Sequence, residues 1–274
     1  MKTIAHISDL HFGTEDRVIA DGLLKDLSEK NPSLVVVSGD LTQRARSGQF
    51  KAAKEYLDKL RFPKIIVPGN HDIPLFDIFR RFILPLTRYK RYITEDLSPL
   101  YKDVEMAVLG INTARSFTWK NGRISEDQMK IIKDTFCSVN MPLIEVLVIH
   151  HQFIPSPDND NVDLVGRAEK ALNILDECGI DLVLAGHLHE GFTGDIQTYY
   201  PGRRSIIIAQ AGTAISHRTR GAPNAYNFIT LNKDHILIEI RVWNGNGFDK
   251  SADILYRRID KKWVKEEQTG IVNS

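Results

Sequence analysis

The chain has 274 residues, 42% hydrophobic and 26% charged, a composition that supports a large buried core and excludes a disordered tail or a disulfide-stapled miniprotein. Lys and Arg number 36 against 35 Asp and Glu, a net charge of +1. That balance provides no global field for a polyanion, so nucleic acid is not an expected partner.

From the N-terminus, TIAHIS (3–8) reads as a strand, and Asp9 and His11 break the apolar run too early for a signal-peptide core. A helical period covers 18–30, SLVVVS (33–38) is a second strand, a second helix covers 47–60, and KIIVP (64–68) is a third strand. The stretch 75–95, rich in Phe, Arg and Tyr, is irregular and suits a helical insertion. It either covers a cleft or turns its aromatics into the core. Strands follow at 106–111, 144–150 and 180–186, separated by helical periods at 125–136 and 166–178.

From 205 to 260 strands succeed one another with turns only, which predicts a second, largely antiparallel sheet. The expected fold is α/β, a four-layer αββα sandwich of two mixed sheets with flanking helices, formed by residues 1–274 as one domain. Cys137 and Cys178 lack any metal-type spacing and read as ordinary thiols of a reducing compartment. With no run near the ~18 apolar residues of a membrane helix, the expected location is cytoplasmic, without integral membrane association.

The polar residues carry the functional information. Five apolar runs end in metal-binding side chains: Asp9 and His11, then Asp40, then Asn70, His71 and Asp72, then His150 with His151, and finally His187 and His189. In layered α/β folds ligands bind beyond the carboxyl ends of strands, so these tips are expected to converge. Imidazole, carboxylate and amide oxygen without thiolate suit Mn, Fe or Zn and not a structural zinc knot. Asp9, His11, Asp40, Asn70, His150, His187 and His189 are too many for one ion, whereas two ions sharing Asp40 accommodate them.

The motifs D-x-H (9–11), GD (39–40), GNHD (69–72), the histidine at 150 and GHxH (186–189) together resemble the calcineurin-like metallophosphoesterase superfamily, and within it the class III cyclic-nucleotide phosphodiesterases. The resemblance implies one ion on Asp9, His11, Asp40 and His189, and a second on Asp40, Asn70, His150 and His187. A bridging water or hydroxide would attack phosphorus in line, and unmetallated His71 would assist the leaving oxygen as an imidazolium. Asp72 would orient His71 or a neighbouring ligand.

The expected substrate is a small phosphodiester, a 3',5'-cyclic nucleotide being one candidate. The alternatives are a nucleotide pyrophosphate with a lipid-linked sugar, a nuclease substrate, or a noncatalytic metal-binding scaffold. Arg44, His151, His217, Arg218 and Arg220 are candidate substrate contacts, each with an ordinary structural explanation: helix-cap charge for Arg44, core or surface histidine for His151, and turn residues for the last three. No obligate protein partner is evident in the sequence, and it does not define an oligomeric state.

Overall fold

The computed structural model describes residues 1–118, 120–137, 144–157 and 163–266. The chain runs β1 (Lys2–Ile7), α1 (Arg17–Lys30), β2 (Leu34–Val37), α2 (Ser47–Leu57), β3 (Lys64–Ile66), a 3-10 turn (Asn70–Asp72), α3 (Ile78–Ile83), α4 (Thr87–Tyr92), β4 (Leu100–Lys102), β5 (Met106–Gly110), α5 (Glu126–Phe136), β6 (Ile144–Val148), α6 (Ala168–Cys178), β7 (Leu182–Ala185), β8 (Phe192–Asp195), α7 (Ile196–Tyr199), β9 (Ile207–Gln210), β10 (Ala225–Asn232), β11 (His235–Trp243), β12 (Phe248–Ile259) and β13 (Lys262–Lys265).

Two sheets form, in the orders β13-β12-β11-β10-β1-β2-β3 and β4-β5-β6-β7-β9-β8. Ile4, Val36, Val108, Val146, Leu184 and Ile238 fill the space between them. The alternate residues Ala5, Val35 and Val37 meet Leu23, Leu27 and Phe50 of α1 and α2 on one outer face. Leu147 and Val183 meet Ile132, Leu172 and Leu175 of α5 and α6 on the other. The result is the expected αββα sandwich. Strands covered on both faces need no polar alternation, which is why these read as unbroken apolar runs. Each buried Leu, Ile or Val contributes ~1.5–3 kcal/mol.

The C-terminal strands depart from expectation. They do not build the second sheet: β10 pairs antiparallel with β1, with Ala5 opposite Phe228, and β11 to β13 continue outward from it. The second sheet is instead the mainly parallel β5-β6-β7-β9 set with antiparallel edges. An antiparallel hairpin series completes an open edge as readily as it founds a new sheet, and sequence rhythm does not distinguish the two.

The cysteines also correct the sequence reading. Cys137 and Cys178 form a disulfide between the ends of α5 and α6. The two helices lie side by side, joined also by a Lys133–Glu177 ion pair at 2.7 Å, so residues 41 apart in sequence become neighbours. The pairing removes the basis for assigning a reducing compartment. No helix among the described residues is long and apolar enough to cross a membrane. Reduction is expected to cost up to about 4 kcal/mol of stability through loop-closure entropy, measured by denaturant unfolding with and without reductant. Two free thiols in the unfolded, unreduced protein would contradict the pairing.

The 75–95 insertion divides its aromatics. Tyr89 is buried and its hydroxyl donates to the Ile66 carbonyl at 2.9 Å, and Tyr92 stacks on Phe50. Phe76, Phe79 and Phe82 remain exposed.

Candidate metal centre

The carboxyl ends of β1, β2 and β3 in one sheet and of β6 and β7 in the other meet at one edge of the sandwich. The loops after them turn sharply. Asp9, His11, Asp40, His187 and His189 all have positive φ, between 45° and 78°, a conformation that side chains other than glycine adopt only when the surroundings enforce it. Such strain concentrates at functional sites. Gly69 serves the same geometry by omission, because a Cβ there would overlap the Asp40 carboxylate and backbone nitrogen.

Two groups of ligand atoms surround Asp40. Its Oδ2 lies 3.7 Å from His11 Nε2, and Asp9 Oδ1 lies 3.5 Å from His11 Nε2 and 3.7 Å from His189 Nε2. Its Oδ1 lies 3.4 Å from His150 Nε2, while Asn70 Oδ1 is 3.2 Å from His150 Nε2 and 3.0 Å from His187 Nδ1. Asp9 Oδ1, Asp40 Oδ2 and His11 Nε2 are buried without hydrogen-bond partners. Buried polar atoms left unpaired are costly, and three aimed at one point fit the demand of a cation.

Surrounding groups select the atoms presented. Asp9 Oδ2 accepts from Ser8 Oγ at 2.6 Å and from the His187 backbone N–H at 3.0 Å, which leaves Oδ1 for the centre. His150 Nδ1–H donates to the Ser38 carbonyl at 2.7 Å, turning Nε2 inward. Thr213 Oγ1 donates to the Arg218 carbonyl and therefore accepts from His189 Nδ1 at 2.7 Å, which leaves His189 Nε2 free to bind. Thr213 was not singled out in the sequence, and only its place after an apolar run hinted at it.

Burial pushes the Asp9 carboxyl up, but the His189, His11 and His150 imidazoles more than offset this and hold it below the carboxylate range. Asp40 is likewise held low, His150 and His71 outweighing its burial. Burial pulls His187 down to about 3 and His189 to about 4, so both are neutral at working pH. His150 behaves oppositely: burial lowers it, yet Asp40 more than compensates and pushes it up to about 9. An incoming cation must displace that proton. Metal affinity is therefore expected to rise with pH until about 9, roughly tenfold per pH unit for one displaced proton, and loading near neutrality should release that proton into a weakly buffered indicator solution. Affinity independent of pH from 6 to 9 would contradict this proton inventory.

Asp72 does not touch the His71 ring. Its carboxylate accepts from the Gly69, Leu41 and Thr42 N–H groups and from Thr42 Oγ1, at 2.9–3.1 Å, and so ties the Asp40 loop to the Asn70 loop. Burial and nearby Asp40 push it up to about 6 against these four donors. Of the two expected roles, orienting His71 or a neighbouring ligand, these bonds favour the second, since they join the loops that carry Asp40 and Asn70.

His71 faces a cleft of about 340 Å³ whose lining includes Gln43, Arg44, Lys120, Arg218 and Arg220, with Ile73 and Leu75 as its apolar wall. His71 Nδ1 is bonded to the Gln43 carbonyl at 3.0 Å, and its Nε2 accepts from Arg218 Nη1 at 2.9 Å. Burial pulls its pKa below the ordinary value, with Asp40 opposing. Without substrate the imidazole is therefore neutral at pH 7.

Arg44, Arg218 and Arg220 reach the cleft, but His151 and His217 do not line it. His151 is buried, with Nδ1 paired to Thr113 Oγ1 at 2.7 Å and its ring against His150 and His187. His217 is exposed and lies 3.7 Å from Asp16. Sequence reasoning missed Gln43 and Lys120, because neither belongs to a strand-end motif.

A family model described as calcineurin-like phosphoesterase matches residues 2–191. The chain is 30% identical over 146 residues to the glycerophosphodiester phosphodiesterase GpdQ of Enterobacter lignolyticus, a match covering 45% of this chain and about half (51%) of that enzyme. It is 24% identical over 203 residues to a Synechococcus protein named "probable cyclic nucleotide phosphodiesterase", covering 69% and 74% of the two chains. In architecture it is similar to PhoD, with TM-score 0.72 at 12% identity, covering all of this chain and 73% of the other.

Proposed function

Because the chain belongs to the calcineurin-like phosphoesterase family and is a metal-dependent phosphoester hydrolase, we propose that it cleaves a small phosphodiester, with a 3',5'-cyclic nucleotide as one candidate, at a pair of divalent ions sharing Asp40. The observation that carries the reading is the division of Asp40: each of its carboxylate oxygens belongs to a different ring of ligand atoms. Asp9, His11, Asp40 and His189 would hold one ion, and Asp40, Asn70, His150 and His187 the other. Mn and Fe suit these nitrogen and oxygen donors, as does Zn. When bound, the pair supplies Lewis-acid polarisation of the phosphoryl group and a water of lowered pKa.

The protein's own groups supply the rest. Arg218 donates to a non-bridging phosphoryl oxygen, replacing its present contact with His71 Nε2. The Gln43 carbonyl holds His71 Nδ1–H, so Nε2 points to the cleft, where a proton carried on it passes to the leaving oxygen. The negative substrate raises the imidazole pKa and so supports protonation at that moment. A cleft of about 340 Å³ admits a nucleotide-sized molecule.

One feature favours a second reading. Arg44, Lys120, Arg218 and Arg220 surround the cleft, more positive charge than a monoanionic diester needs, and they suit a nucleotide pyrophosphate. Initial rates on cyclic nucleotides, linear diesters, phosphomonoesters and nucleotide pyrophosphates, using metal-stripped protein reloaded with Mn, Fe, Zn or Mg, test both. A metal-dependent preference for diesters is expected. Preference for pyrophosphates, with KM raised at least ~tenfold by Arg220→Ala, would replace the first reading by the second. No turnover with two ions bound would defeat both.

A further inference from the structure

Half of the large hydrophobic side chains exposed among the described residues fall in two adjoining stretches, residues 76–84 and Phe117. Phe79 is 69% exposed and Phe117 86%. Phe82 and Phe117 touch, with ring centroids 5.2 Å apart, so the two stretches form one surface. It is held from beneath: buried Arg81 donates to the carbonyls of Pro74, Ser116 and Thr118 at 2.8–3.1 Å, fixing α3 to the loop that carries Phe117. A rigid, uncovered apolar patch beside a site mouth marks an interaction surface.

The surroundings indicate its partner. Residues 75–95 carry Arg80, Arg81, Arg88, Lys90 and Arg91 against only Asp77 and Glu95, in a chain whose net charge is +1. Next to the patch, Arg80, Arg88 and Arg91 line a depression of about 180 Å³ together with Ser47, Leu84 and Tyr92. A second copy of the chain across a two-fold axis would set this positive rim against itself. Exposed phenylalanines beside clustered arginines instead match the two layers of a lipid surface, apolar below and anionic above.

We propose that the 76–92 insertion and Phe117 dock on a membrane surface rich in anionic phospholipid. Phe76, Phe79, Ile83 and Phe117 enter the boundary between headgroups and acyl chains, and the arginine depression receives a lipid phosphate. Arg44, which lines the cleft, lies over the Phe76 ring at 5.6 Å, so docking brings the cleft rim to the lipid surface. This surface is independent of the phosphodiester reading.

The test is co-sedimentation of the full chain with vesicles of equimolar phosphatidylcholine and phosphatidylglycerol, compared with phosphatidylcholine alone. Binding is expected to the anionic vesicles, weakened by salt. Phe79→Ser/Ile83→Ser and, separately, Arg80→Glu/Arg91→Glu should each reduce the partition coefficient at least ~tenfold. Both variants should keep the wild-type melting temperature and any phosphoesterase turnover, since none of these side chains belongs to the metal centre or its cleft. The proposal is overturned if the wild type ignores anionic vesicles or if the variants bind equally well. It is also overturned if free glycerol 3-phosphate displaces the protein, or if the wild type is a dimer that Phe79→Ser/Ile83→Ser dissolves without any vesicle binding.

Discussion

Replacing Asp40 by Asn is expected to strip both metal ions and reduce kcat/KM by at least ~10³-fold, about 4 kcal/mol of transition-state stabilisation. Asp40 Oδ1 stands 3.4 Å from His150 Nε2 and Oδ2 3.7 Å from His11 Nε2, so its two oxygens reach both groups at once. The amide keeps the shape and still accepts the His71 backbone N–H now held by Oδ1 at 2.8 Å. What it loses is charge, and one of its two ligand atoms becomes an –NH2 donor that cannot bind a cation. The same substitution removes the group that raises His150, so in the metal-free protein that imidazole should titrate well below about 9. Metal content by elemental analysis, together with an NMR titration of the histidines, checks both parts. Full loading of Asp40→Asn would sink the assignment of a shared carboxylate.

His71→Ala should behave in the opposite way, retaining metal while losing ~10²- to 10⁴-fold in kcat. His71 contributes through its cleft-facing Nε2; its hydrogen bond to the metal ligands is the backbone N–H to Asp40, which alanine preserves, and alanine gives up only the edge-on packing of its ring against His11, with centroids 5.0 Å apart. KM should change little, because Arg218 remains to hold the phosphoryl group. The acid role also fixes a sign: turnover depends on protonated His71, so kcat should fall as pH rises through the imidazole pKa of the substrate complex, and this limb should vanish in His71→Ala. A variant with kcat near wild type would remove His71 from the chemistry, and one with lost metal would make it structural.

The candidate metal ligands were legible because each follows an apolar run, and buried strands announce themselves by unbroken β-branched sequence. Their convergence follows from layered packing, which brings the tips of five strands to one edge. The strands at or next to the sheet edges were harder to see. Phe192–Asp195 has no apolar run, and Phe248–Ile259 mixes exposed and half-buried residues, so neither presents the signature of a covered strand. Arg218 was visible only as one cation in a turn. Its position beside His71, 147 residues earlier, depends on the crossing of the chain from β9 in one sheet to β10 in the other. The Cys137–Cys178 bond escaped for a similar reason, because helix adjacency is a tertiary fact that spacing does not encode. The split in the insertion, with Tyr89 buried and Phe79 exposed, depends on tertiary packing: α4 sets Tyr89 against Phe50 of α2, whereas α3 is anchored through Arg81 to the loop carrying Phe117.

The most direct measurement is anomalous diffraction from crystals grown with excess manganese. Two peaks ~3.5–4 Å apart are expected. One should be bounded by Asp9, His11 and His189 and the other by Asn70, His150 and His187, with Asp40 between them. A single peak, a pair lying away from Asp40, or His151 in place of His150 would contradict the two-ion centre.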